Sequence, residues 1–170
     1  MRRFDSLNDS GELTSDLFEI NSLEDEIKVD HRCESLLRIF CQYQIDERGF
    51  SPEDAGSQAR GADYLLREFI IGDRRENLLL ISPGRIRQFA GNWYITKALE
   101  PNVQELGTIL QGTGEFYDYL AGFGLVGAEQ AAKIKCHCRE LDYYQQRIES
   151  FWAIEGGGFA AWCAACPVEP

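Results

Sequence analysis

Ser51-Pro-Glu-Asp-Ala-Gly-Ser-Gln-Ala-Arg-Gly-Ala-Asp-Tyr-Leu-Leu-Arg-Glu-Phe-Ile-Ile71 decides how the rest of the chain is read. Serine at the start supplies a side-chain acceptor for the first free amides. Proline fits the first turn because its missing N–H would be unpaired there anyway, and the following acids face the positive end of the helix dipole. Ala62, Leu65, Leu66, Phe69 and Ile70 then recur at spacings of three and four, which places them on one buried side. The spacing predicts a helix from Ser51 to about Ile71, stopped by Gly72-Asp73.

Working outward, the same signals repeat. From Asp30, read as an N-cap, the residues Cys33, Leu36, Leu37, Phe40 and Cys41 predict an amphipathic helix ending near Glu47-Arg48-Gly49, where glycine suits a left-handed position. Leu78-Leu79-Leu80-Ile81 leads into a second Ser-Pro start at Ser82-Pro83, and Ile86, Phe89, Ala90, Trp93 and Tyr94 continue the periodicity. Glu100-Pro101-Asn102 interrupts the chain. Val103, Leu106, Ile109, Leu110, Phe116, Tyr117 and Leu120 then mark a further helix, whose Gly107, Gly112 and Gly114 suit close approach to a neighbour. After a turn at residues 121–127, Ile134, Leu141 and Ile148 recur every seven residues with His137, Tyr144 and Phe151 between them. One long helix from Ala128 to about Ile154 with a coiled-coil-like seam is expected, Arg139, Glu140 and Arg147 lying outside that seam. No stretch alternates as a strand, so the fold class is all-α. The expected units are an acidic flexible tail (1–29, with a short turn of helix near Ser15–Ile20), a helical bundle (30–126), the long helix (127–155) and a Gly/Cys tail (156–170).

Within residues 55–126, three phrases come in order: Tyr64-Leu-Leu-Arg-Glu-Phe-Ile-Ile71, Leu80-Ile-Ser-Pro-Gly-Arg-Ile-Arg-Gln-Phe89 and Phe116-Tyr-Asp-Tyr-Leu-Ala-Gly-Phe-Gly-Leu-Val126. This order resembles the N-terminal, SAM-like core-binding domain of tyrosine recombinases and phage integrases. The resemblance implies a four-helix module that grips duplex DNA through its backbone, here with an extra N-terminal helix and a long C-terminal one. Arg67, Arg85, Arg87 and Lys97 are the phosphate-facing candidates it suggests, and Arg74 and Arg75 extend the same basic set. The sequence departs from the family at Lys97-Ala-Leu-Glu-Pro-Asn-Val103, where a Ser/Thr-rich helix entry is usual. The 44 residues after Val126 are too few for the family's catalytic half, and neither His31 nor His137 has arginine three positions on. Recombinase chemistry is therefore not expected, and no other catalytic set is evident.

Charge pulls against DNA. The net charge is −11, and phosphate neutralisation supplies most non-specific affinity for nucleic acid. Residues 1–30 hold three basic against nine acidic residues, whereas residues 60–100 hold seven basic against five acidic. One contiguous basic face would favour DNA. Arginines each paired with an acid would favour the alternative, a protein-interaction or homodimer module using Ile134, Leu141, Tyr144, Ile148 and Phe151.

No cofactor is expected. Zinc is the one ion with candidate ligands, at Cys136, Cys138, Cys163 and Cys166, because Cys-x-x-Cys brings two thiolates to one tetrahedral ion. Cys136 and Cys138 within one helix would point about 200° apart, which opposes joint ligation. Trp162-Cys163-Ala-Ala-Cys166-Pro167 echoes a thiol redox motif but lacks the following helix that lowers a thiol pKa. His137 reads as a partly buried histidine bonded to a neighbour. No apolar run reaches the ~20 residues of a membrane span and no apolar segment follows Arg2-Arg3, so the cytoplasm is the expected compartment and no membrane partner is expected.

Overall fold

The computed structural model describes residues 12–170, and these are helical with no strand among them. A single 3-10 turn at Ser15–Phe18 precedes α1 (Leu23–Asp46). Helix α2 (Pro52–Asp63) runs on without a break into a wider π-helical stretch, Tyr64–Asp73. After a loop come α3 (Gly84–Gln88), a second π stretch (Phe89–Trp93) and α4 (Tyr94–Lys97), which together form one continuous rod. The chain continues through α5 (Val103–Gly122), α6 (Ala128–Cys138), α7 (Leu141–Trp152) and α8 (Phe159–Ala164).

The caps explain the boundaries. Ser51 Oγ accepts from Asp54 N at 3.0 Å and Asn102 Oδ1 from Glu105 N at 2.8 Å, each satisfying an amide that the first helical turn leaves free. Gly49 sits at φ +71°, the left-handed conformation expected of it. Asp30 is not a cap. Helix α1 starts a full two turns earlier, where Ser22 Oγ accepts from Asp25 N at 3.1 Å and three acids occupy the first turn.

Helix α5 is the centre of the molecule, packed on α1, α2, α6 and α7. Its crossing with α2 is unusually close because glycine faces backbone on both sides. A Cβ at Gly61 would lie 2.7 Å from the Thr108 carbonyl oxygen, and one at Gly112 would lie 2.1 Å from that of Gln58. At the same crossing Gln44 and Gln58 bond to each other inside the core, which satisfies two amides that burial would otherwise leave unpaired. An aromatic layer joins the two π stretches: Phe89 lies 5.5 Å from Phe69 and 5.7 Å from Trp93, centroid to centroid.

Three expectations about organisation are corrected here. Residues 15–29 are not a flexible tail. Phe18 is fully buried, Arg32 donates to the Leu17 carbonyl at 2.7 Å, and Asn77 holds the Ser15 carbonyl and Glu19; the remainder of that tail, residues 1–11, lies outside the described residues. The long C-terminal helix is two helices. Glu140 leaves helical geometry at ψ 42°, its carboxylate reaches His137 Nδ1 at 2.8 Å and Arg87 at 3.0 Å, and Tyr144 Oη donates to the His137 carbonyl at 2.7 Å. The bend lets both Ile134 and Ile148 face the bundle. The segment 156–170 is also docked: Trp162 and Cys166 are buried, and Asn92 Nδ2 donates to the Cys166 carbonyl at 2.8 Å.

Candidate functional site

The six basic candidates do not gather on one face. Arg67 forks onto Asp30 with two 2.8 Å bonds and reaches Asp63 at 3.0 Å, and these carboxylates hold its guanidinium pKa far above its already high ordinary value. Arg75, at φ +55°, pairs with Glu26 at 2.8 Å. Both therefore face α1. Arg74 bonds Asp73 at 2.8 Å and the Glu169 carbonyl at 2.9 Å. Arg85 is buried, chelates Glu76, and donates to the carbonyls of Glu169 at 2.6 Å and Pro170 at 3.0 Å. Arg87 pairs with Glu140 and lies 4.2 Å over the Tyr143 ring. Lys97 is exposed and sits 5.9 Å over the Trp93 ring. Sequence reasoning placed these cations on a surface because sequence carries no record of which acid will meet them across the fold.

The seam offered for a partner is spent on the chain's own core. Ile134, Tyr144 and Ile148 are buried, Phe151 packs on Trp162 at 5.2 Å between centroids, and Leu141 stays 38% exposed at the bend. Use of Ile134, Tyr144 and Ile148 as an external interface is thus overturned. Arg147, expected on the outer face, is also inside. It donates to the Gly91 carbonyl at 2.9 Å and the Trp162 carbonyl at 2.8 Å, with its guanidinium 3.9 Å from the centre of the Trp162 ring. Carbonyl oxygens and a π face are what a buried guanidinium needs when no carboxylate is near.

Zinc ligation by Cys136, Cys138, Cys163 and Cys166 is likewise overturned. Cys136 is exposed whereas Cys138 packs beside Gly114, and Cys166 lies against Gly91 and Tyr143. Among the described residues no three His, Cys, Asp or Glu side chains are placed to share an ion. Burial pushes the Cys138 thiol up to about 12 and raises Cys33 further. An elevated pKa leaves almost no thiolate at neutral pH, the reverse of a reactive or metal-binding cysteine. Thiol labelling of native protein at pH 8 is expected to modify Cys136 within minutes while Cys33 and Cys138 react only on unfolding. Mass mapping after iodoacetamide treatment checks the order, and rapid native labelling of Cys33 would contradict it.

Two features had no clear sequence signal. One is a cleft of about 740 Å³ between α5 and the corner where α6 meets α7. Val103, Gly107, Leu110 and Leu141 line its apolar walls, and Gln104, Gln111, Arg139 and Asp142 supply polar groups. Only the helix break at Arg139–Glu140 creates it. The other is an exposed aromatic corner at α7–α8, where Trp152 is 61% and Phe159 51% exposed beside the turn at Gly156–Gly158.

Among the described residues, no helix is long and apolar enough to cross a membrane. Comparison with known proteins finds no matching family model, no matching curated protein and no matching solved structure.

Proposed function

We propose that this chain is a non-catalytic helical interaction module, presenting the Trp152/Phe159 corner to a protein partner with a basic surface. The observation that carries this reading is the engagement of its cations. Five of the six basic candidates are tied to acids of the same chain, and the sixth lies over a tryptophan ring. Residues 1–11 hold two arginines and two aspartates, so the whole excess of −11 belongs to the described residues. Such a surface repels phosphate and a second copy of itself, and attracts positive charge. Exposed aromatic side chains such as Trp152 and Phe159 supply the apolar anchor that protein contacts favour.

The DNA-clasping reading, drawn from the resemblance to core-binding domains, depends on the same six side chains. Freeing Arg67 and Arg85 would mean breaking part-buried pairs, and Arg74, Arg75 and Arg87 would each have to leave a carboxylate of the same chain. One set of titrations separates the two readings. Labelled duplex DNA at low salt is expected to give no salt-sensitive binding, and a salt-sensitive isotherm would overturn the proposal in favour of DNA. A basic amphipathic leucine–lysine peptide is expected to blue-shift the emission of Trp152, with affinity falling about tenfold in Phe159→Ser. Equal binding by the variant would remove the aromatic corner from the contact.

A further inference from the structure

We propose that the cleft between α5 and the α6–α7 corner binds a small molecule with a flat apolar body and a single acid group. This site is separate from the aromatic corner and does not depend on that reading.

Size is the first argument. A volume of about 740 Å³ falls within the range that holds small ligands, and the lining combines apolar walls with a few polar groups. The walls are also specific. Helix α5 carries four glycines, Gly107, Gly112, Gly114 and the terminal Gly122, but packing demands only one of them. A Cβ at Gly112 would collide with the α2 backbone, whereas one at Gly107 would meet nothing nearer than Leu141 Cδ1 at 3.9 Å. At Gly114 the nearest atom would be Lys135 Cγ at 3.6 Å, which is ordinary contact. Each glycine in a helix interior costs about 1 kcal/mol relative to alanine. Gly107 and Gly114 sit seven residues apart on the face that lines the cleft. Their effect is to leave that wall flat, as a planar body requires. Opposite them, Leu141 stays partly exposed because the bend leaves it at the first position of α7.

Charge sets the polarity of the ligand. Lys135 is already engaged by Asp118 and, at 3.4 Å, by Glu115. Arg139, at the C-terminal end of α6, has no ion-pair or hydrogen-bond partner for its side chain among the described residues. Its guanidinium, exposed at the edge of the cleft, matches a carboxylate in fork geometry. The side-chain amides of Gln104 and Gln111 are also without partners among the described residues and can donate to the same group. Asp142, in the first turn of α7, carries like charge and directs the acid towards α6.

The test is a two-dimensional amide NMR titration of the full chain with 2-naphthoate, alongside uncharged 2-naphthylmethanol and the flexible acid octanoate. Saturable shifts with 2-naphthoate are expected at Gly107, Thr108, Gln111, Arg139 and Leu141. Gly107→Leu fills the flat wall and is expected to weaken binding at least about tenfold while its thermal midpoint stays level or rises. Arg139→Gln is expected to weaken 2-naphthoate about tenfold and leave 2-naphthylmethanol unchanged. Asp142→Asn is expected to tighten 2-naphthoate roughly two- to threefold. No saturable shift in the cleft up to roughly 10 mM overturns the site. Wild-type affinity in Gly107→Leu overturns the wall. Octanoate binding as tightly as 2-naphthoate overturns the requirement for a flat body, and an unaffected Arg139→Gln overturns the acid.

Discussion

Gly112→Ala is expected to destabilise the protein by about 3 kcal/mol or more, its methyl making the shortest contact of any glycine among the described residues. The added carbon would stand 2.1 Å from the Gln58 carbonyl oxygen and 2.9 Å from its carbonyl carbon. Those atoms are α2 backbone, so no rotamer change relieves the clash and the two helices must move apart. Separation would open voids around Leu106, Ile109 and Leu110 and stretch the buried Gln44–Gln58 bond. In a chain of this length the thermal midpoint should fall by roughly 6–12 °C. Gly61→Ala attacks the same crossing from the other side, with contacts of 2.7 and 2.9 Å to Thr108 and Ile109, and should act in the same direction. Urea unfolding followed by circular dichroism measures both. A loss under about 1 kcal/mol for Gly112→Ala would mean that the crossing yields more easily than close-packed helices do.

Arg85→Met is expected to cost about 2–3 kcal/mol and to release the end of the chain. Methionine keeps much of the volume but removes every polar contact. Arg85 holds Glu76 on one side, Gln88 on another, and the carbonyls of Glu169 and Pro170 on a third. Removing one member of a buried pair strands the other, which costs up to about 5 kcal/mol when the survivor is fully enclosed. Glu76 keeps about a third of its side-chain exposure, so water can recover part of that loss. Hydrogen exchange should quicken across residues 159–170, where the Glu169 amide donates to Gln88 at 3.3 Å. Arg75→Met provides the contrast: its guanidinium is more than half exposed, and its loss should stay below about 1 kcal/mol. Equal losses from the two substitutions would argue against a clasp at Arg85.

Local chemistry made much of the fold legible in advance. Ser51-Pro52 starts α2 where the sequence places it, Pro101-Asn102 separates α4 from α5, and Gly49 turns left-handed after α1. Each of these depends on neighbours within four residues. The heptad of Ile134, Leu141 and Ile148 is the spacing from which an external seam is expected, yet its first and last members are buried in the chain's own core. It was misread as one straight helix because Glu140 satisfies both His137 and Arg87, and Arg87 is 53 positions away. The two π stretches were invisible for a similar reason. Their periodicity differs from an α-helix by about one residue per turn, and the aromatic layer between them forms only when Phe69 meets Phe89.

Sequence alone determined that this chain is all-helical, where most of its helices begin and end, and which sides of α1 to α5 turn inward, because caps, proline and spacing act within a turn or two. Tertiary structure alone decided what the surface offers. It paired Arg67 with Asp30 and Arg85 with Glu76, buried Arg147 under Trp162, and opened a glycine-walled cleft at the α6–α7 bend. Charges find partners by distance in space, and a side chain's freedom to bind depends on what the rest of the chain has already brought beside it.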